Sequence, residues 1–162
     1  MPTTYPMPIQ EAIRDLISDL LGKGVAVDKT SPIEFEDDTI GAVSDLITDD
    51  GRLAVILIAD LPLIANIGAS LTLVPVIVAQ DSVRKNRLEE EMLLENYGEV
   101  INVMSRIFNT PSTPHLRYKE TKILPAELPP EITALRETYA ARRTFAIKVE
   151  GYGEGRLEIS VG

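Results

Sequence analysis

Glu99 and Asn102 are the pair whose types and spacing speak most directly of chemistry. Three residues apart on a helix, their side chains are neighbours on one face. A carboxylate held there can pair with a lysine of another protein. A carboxamide, which both donates and accepts hydrogen bonds, can hold a water in one orientation. Spacing alone does not make a site, because exposed helix faces carry Glu and Asn routinely. The rest of the chain offers little else to work with. It has one histidine, His115, and no cysteine, so disulfides, CxxC redox sites and thiolate zinc sites are excluded. His115 precedes a strand and reads as a strand-end residue. Ser44 in GAVSDL lacks the second glycine of a G-x-S-x-G elbow and falls within a predicted strand. The glycines of GYGEGR are spaced to turn a hairpin, with no helix after them to receive a phosphate. Asp37 with Asp38, and Asp49 with Asp50, lie at turns and lack further ligands at calcium-loop spacing. No metal site and no cofactor bound by this chain is expected.

A helix that shows Glu99 and Asn102 to solvent must bury its opposite face. The longest predicted helix runs from near Ser82 to Phe108, where EEEMLLENYGEVINVMSRIF contains no proline. Projected at about 100° per residue, Leu93, Leu94, Tyr97, Val100, Ile101, Met104, Ile107 and Phe108 gather on one side. Glu91, Glu95, Glu99, Asn102 and Arg106 gather on the other. The projection predicts Leu93, Tyr97, Val100, Ile101 and Met104 buried against a sheet. Upstream, apolar residues recur at helical spacing from Ile9 to Leu21, with Pro8 before them and Gly22 as a stop. GVAVDK is β-prone, and TIGAVSDLIT and RLAVILIA form a hairpin across Asp49, Asp50 and Gly51. A second helix follows Asp60 through about Leu71, and TLVPVIVAQ has no clear period. After the breaker NTPSTP come a strand in HLRYKETKIL, a short helix or turn in PPEITALRE, and a closing hairpin. That hairpin joins RTFAIKVEG to GRLEISVG across Tyr152, Gly153 and Glu154. The order indicates an α+β fold, an antiparallel-rich β-sheet packed against two or three helices.

At 162 residues, with 44% hydrophobic and 25% charged, the chain suits a single domain over residues 1–162, structured from about 9 to 161. A net charge of −9 opposes nonspecific attraction to nucleic acid or an anionic membrane. The N-terminus MPTTYPMPIQEA has no positive region ahead of an apolar stretch, which favours a cytoplasmic protein. The uncharged stretch from Leu61 to Ala79 is interrupted by Pro62, Asn66 and Pro75 and flanked by Asp60 and Asp81. Such interruptions fit a buried helix and loop better than a membrane span.

The segment GEVINVM, Gly98 to Met104, on a long helix after a β-hairpin and a second helix, resembles the G-E-x-x-N segment of the CheX and CheC chemotaxis phosphatase family. The element order from about Ile9 to Val161 is also similar to that of CheX. The resemblance implies that family's fold and hydrolysis of the aspartyl phosphate of CheY-type response regulators. Glu99 would hold the receiver domain's lysine, and Asn102 would orient the attacking water. Glu95 and Arg106 on the same face are the candidate partner-binding residues. Mg²⁺ would come with the response-regulator partner, and a homodimer is implied, paired through β-rich segments such as HLRYKETKIL and RLEISVG. CheC-like members carry a second motif on the first helix, but EAIR places Arg14 where its Asn would stand, so the single-site CheX pattern applies. Family members often have a small residue about one turn after the Asn, where this chain has Arg106. A noncatalytic response-regulator-binding module of the same fold is the alternative reading. A small acidic secretion chaperone, marked by a broad apolar groove, is the more distant one.

Overall fold

The computed structural model describes residues 5–36, 38–124, 130–138 and 141–162. Asp37 of the Asp37–Asp38 pair lies outside the described residues. The strands are β1 (Val25–Thr30), β2 (Gly41–Thr48), β3 (Leu53–Asp60), β4 (Leu116–Leu124), β5 (Ala141–Val149) and β6 (Gly153–Val161). The helices are α1 (Gln10–Leu21), α2 (Leu61–Leu71), α3 (Val76–Lys85), α4 (Glu91–Met104) and α5 (Pro130–Thr138), with a 3₁₀ turn over Ser105–Phe108 directly after α4. The strands form one sheet in the order β1-β5-β6-β3-β2-β4, and every neighbouring pair is antiparallel. This is the α+β arrangement expected from the element order.

Strand β3, LAVILIAD, is apolar at successive positions because both of its faces are covered. Val55, Leu57 and Ala59 join the main core with Ile13 and Ile17 of α1, Leu63, Ile64 and Ile67 of α2, and Tyr97, Val100, Ile101 and Met104 of α4. On the other face, Ile56 and Ile58 pack with Val43, Leu124 and Ile132 of α5. Three helices therefore cover one side and α5 the other. The β2–β3 hairpin turns where Asp-Gly marked it, with Gly51 at φ 88°. In α1, Gly22 at φ 65° caps the helix as a left-handed stop, but Ile9, counted with the apolar face, is 63% exposed and precedes the helix.

Four expectations need correction. The helix predicted from near Ser82 to Phe108 is two helices and a turn. Asn86 takes the left-handed conformation at φ 52°, and its N–H donates to the carbonyl oxygens of Ser82 and Val83, ending α3. The Asn86 amide donates to the Asp38 carbonyl at 3.0 Å, and the Glu89 N–H donates to the buried Ser82 hydroxyl at 3.0 Å, which turns the chain into α4. Asn enters the left-handed region more readily than most residues other than Gly, so no proline was needed. Second, TLVPVIVAQ contains the start of α3, with Pro75 at its N-cap. Third, the closing turn lies two residues earlier than expected: Val149 pairs with Gly153, and Gly151 has φ 81°. Fourth, RLEISVG is β6, which lies between β5 and β3 and has no free edge. Of the two segments proposed for pairing between copies, only HLRYKETKIL, as β4, lies at the border of the sheet. No helix among the described residues is long and apolar enough to cross a membrane.

Helix α2 sets the height of α4 over the sheet. Asp60 caps its N-terminus: the carboxylate accepts from the Leu63 N–H at 3.1 Å and from the Arg156 N–H of β6 at 3.0 Å. Gly155 of β6 lies against the Leu63 backbone, and Gly68 of α2 lies against the Leu93 carbonyl of α4. A Cβ at either position would sit inside van der Waals contact with backbone, which cannot swing aside as a side chain can. The Asn96 amide adds hydrogen bonds to the Gly68 carbonyl at 2.9 Å and the Thr72 hydroxyl at 3.0 Å. Gly68→Ala is expected to lower unfolding free energy by about 1–3 kcal/mol or more through overpacking, despite alanine's better helix propensity. Chemical denaturation checks this, and a stability equal to wild type would show that α2 and α4 are free to separate.

Candidate functional site

Helix α4 is held against the sheet at a second point. The Gly98 Cα faces the side chains of Tyr118 and Thr121 on β4: a Cβ there would stand 3.1 Å from the Tyr118 hydroxyl and 3.8 Å from the Thr121 hydroxyl. Those hydroxyls belong to a chain, with Tyr118 Oη 2.5 Å from Thr121 Oγ1 and Thr121 Oγ1 2.7 Å from Ser44 Oγ. Ser44 is fully buried in this contact and is no nucleophile. Burial pushes the Tyr118 phenol above its ordinary pKa, opposed by the bond to Thr121, and the Glu99, Asp45 and Glu120 carboxylates push it further up. The phenol therefore stays protonated at neutral pH. On the buried side of α4, Tyr97 is fully enclosed, and burial raises its pKa more strongly still. Its hydroxyl has no hydrogen-bond partner among the described residues.

With Leu93, Tyr97, Val100, Ile101 and Met104 buried, the opposite face of α4 lies open. Glu95, Glu99, Asn102 and Arg106 are all exposed, as the helical projection predicts. Arg106 nevertheless lies beyond the α-helix. The Ser105 hydroxyl donates to the Asn102 carbonyl at 2.6 Å as α4 tightens into the 3₁₀ turn. The α-helical projection therefore no longer applies at Arg106. Its guanidinium forms no ion pair with Glu99 among the described residues; it lines a recess of about 240 Å³ beside Asn102.

Asn109, His115, Arg117 and Tyr118 also line that recess. The sequence singled out only His115 among these four, and as a strand-end residue, because their approach to Asn102 depends on where β4 joins the sheet. Asn109 fixes that join: its side-chain oxygen accepts from the Leu116 N–H at 2.7 Å, and its amide donates to the Leu116 carbonyl at 3.3 Å. An Asn just before a Ser/Thr/Pro-rich turn is the one local signal that could have marked it. His115 Nδ1 lies 3.6 Å from the Asp49 carboxylate on the hairpin turn, and Asp50 bonds the Thr48 hydroxyl. Among the described residues, no three His, Asp or Glu side chains converge as metal ligands would.

No family profile matches the chain, and no curated protein matches it. Solved structures do. FliY of Thermotoga maritima superposes with a TM-score of 0.62 at 15% identity, over 93% of this chain and 82% of that one. A chain of the CheX–CheY–BeF₃–Mg²⁺ complex from Borrelia burgdorferi gives 0.56 at 12% identity, over 93% of each. The chain has the CheC/CheX-like fold. A chain of the FliM–SpeE complex from H. pylori gives 0.57 at 9% identity, over 94% of this chain and 80% of that one. Identities this low speak for the shared CheC/CheX-like architecture alone.

Within that fold, the Gly98–Tyr118 contact decides how closely α4 rests on β4. Tyr118→Phe should cost about 1 kcal/mol for the lost hydroxyl bond, and Gly98→Ala should gain up to about 1 kcal/mol in propensity less the crowding against that hydroxyl. The two changes should couple favourably by about 0.5 kcal/mol or more, because removing the hydroxyl makes room for the new methyl. Denaturation of all four proteins of the cycle measures this; effects that add within about 0.3 kcal/mol would refute the close contact.

Proposed function

We propose that this protein binds a phosphorylated CheY-type receiver domain and hydrolyses its aspartyl phosphate. The observation that supports this most is the outward presentation of Glu99 and Asn102 on one face of α4, in a fold shared with a chain of a CheX–CheY–BeF₃–Mg²⁺ complex. In this reading Glu99 pairs with a lysine of the receiver and fixes the docking angle. Asn102 enters the receiver's site, accepts a hydrogen bond from a water through its carbonyl oxygen, and aims the water at phosphorus opposite the leaving carboxylate. No covalent intermediate forms on this chain. Positioning a nucleophile in line supplies a large part of the acceleration in phosphoryl transfer. Glu95, one turn before Glu99, and Arg106, beyond Asn102, extend the contact along the same face. In this reading Mg²⁺ comes with the receiver, in keeping with the CheX–CheY–BeF₃–Mg²⁺ complex. A receiver partner would place the protein in the cytoplasm. A homodimer through the β4 edge remains part of the proposal.

Two alternatives make different demands. A secretion chaperone requires a broad apolar groove, whereas the exposed large apolar side chains Ile9, Leu73, Ile77, Val83, Met92 and Ile123 are spread over five parts of the fold. A noncatalytic binding module would dock the receiver and leave its phosphate lifetime unchanged, so kinetics separate it from a phosphatase.

Asn102→Ala should reduce acceleration of receiver dephosphorylation by on the order of 10² to 10³ while leaving folding intact, because exposed helical Asn→Ala is neutral or stabilising. Glu99→Ala should weaken complex formation as well as rate. The check is phosphate release from phosphorylated receiver domains, with binding to their BeF₃ forms measured in parallel. If wild type and both variants leave every receiver's phosphate lifetime unchanged, the phosphatase reading fails.

A further inference from the structure

Helix α2 ends on a residue that its backbone does not favour. The Val74 N–H donates to the Ala69 carbonyl at 2.8 Å, and the Leu73 N–H donates to the Ser70 carbonyl at 3.3 Å. These two bonds make a Schellman motif with Leu73 just past the cap, where the chain must turn left-handed and glycine is the usual occupant. Leu73 takes that turn at φ 58°. A bulky side chain at positive φ carries a steric penalty, because its Cβ crowds the following carbonyl oxygen. The turns that end α1 and α3 use Gly22 and Asn86, which enter this conformation more easily. Nor does burial compensate: at 73% exposed, Leu73 is the most exposed large apolar side chain among the described residues. Backbone strain and solvent contact both favour Gly or Asn at this position.

The turn is nevertheless held firmly, and it stands beside the face that carries Glu99. The Thr72 hydroxyl accepts from the Asn96 amide of α4 at 3.0 Å, and the Val74 carbonyl accepts from the Tyr152 hydroxyl at 2.7 Å. At about 100° per residue, Asn96 lies nearly opposite Gly98, which faces β4, and Glu99 lies on the outer arc between them. The α2–α3 turn thus flanks the outer face on one side as β4 flanks it on the other. That face is largely polar, with Glu91, Glu95, Glu99 and Asn102 exposed, and a helix of 14 residues is about 21 Å long. One such face falls short of the roughly 800 Å² that a specific complex buries on each partner, so a partner docked there extends onto its flanks.

We propose that Leu73 is the apolar anchor of this docking surface and enters an apolar depression on the receiver domain, beside the lysine that Glu99 pairs with. Resting on the receiver-docking reading above, this contact supplies what the polar pair does not. Glu99 sets direction and Asn102 positions water, whereas a leucine side chain removed from water adds affinity, on the order of tenfold or more when fully covered. The hydrogen bonds on both sides of Leu73 fix the turn before docking, so little order has to be imposed on binding.

Leu73→Gly separates an anchor from a structural residue, because the two roles predict opposite signs. For an anchor, the variant unfolds about 2–4 °C higher than wild type, since relief of left-handed strain outweighs the added freedom of the unfolded chain. Its affinity for a BeF₃-bound receiver domain falls about tenfold or more. Leu73→Asn, which also accepts the left-handed turn, should lose binding likewise, and Leu73→Met should keep it. The loss for Leu73→Gly should be the same at low and high salt, whereas the loss for Glu99→Ala shrinks as salt rises. Calorimetry of the full-length chain and titration with a set of BeF₃-bound receiver domains read these quantities. Wild-type affinity in Leu73→Gly would overturn the proposal and leave the docking reading intact. A lower unfolding temperature would also overturn it, because Leu73 would then serve the fold. If Leu73→Gly dissociates a wild-type dimer and leaves receiver binding unchanged, the occupant is a second copy of this chain and the proposal fails. If wild type binds no receiver, the docking reading falls and this contact falls with it.

Discussion

The site rests on a backbone-to-backbone contact. Helix α2 is wedged between β6 and α4 with a glycine at each surface, Gly155 beneath it and Gly68 above it. Apolar side chains alone leave some freedom to slide and rotate, since a core of Leu, Ile and Val can repack in more than one way. Two positions at which even a methyl group would meet main chain remove that freedom. Asp60 locks the start of α2 to β6, and Asn96 locks its end to α4. With the rotation of α4 so determined, burial of Tyr97, Val100, Ile101 and Met104 and exposure of Glu99 and Asn102 are two sides of one constraint.

Glycine serves once more where α4 crosses β4. Gly98, immediately before Glu99, brings the helix down onto the hydroxyl chain of Tyr118, Thr121 and Ser44. The chain is satisfied internally and remains neutral, so it supports the helix without drawing charge away from the outer face. That outer face is electrostatically divided. Glu95 and Glu99 are anionic, whereas Arg106, on the 3₁₀ turn beyond Asn102, is cationic. Asn102, neutral and able to donate and accept, lies between them.

Much of this was legible in local sequence. The period of about 3.6 residues separated the two faces of α4 correctly, and the same period found α1. Asp49, Asp50 and Gly51 marked the β2–β3 hairpin because a tight turn between strands requires positive φ at a defined position. Each of these signals is written within a few residues of the element it specifies.

Other features were not, because they depend on contacts distant in the chain. Asn86 ends α3 only because its amide reaches Asp38 and the buried Ser82 hydroxyl catches Glu89, so an unbroken apolar pattern concealed a break. The sequence RLEISVG reads as any edge strand would, and only pairing with β3 and β5 on either side places it in the interior. Arg106 follows the helical projection on paper, but the 3₁₀ turn after Met104 carries it to a recess shared with β4. The sequence by itself determined the two faces of α4, since that follows from helical periodicity and burial. The tertiary structure decided that β4 would stand beside α4, with Tyr118 against Gly98, because strand order depends on long-range register and close backbone approach.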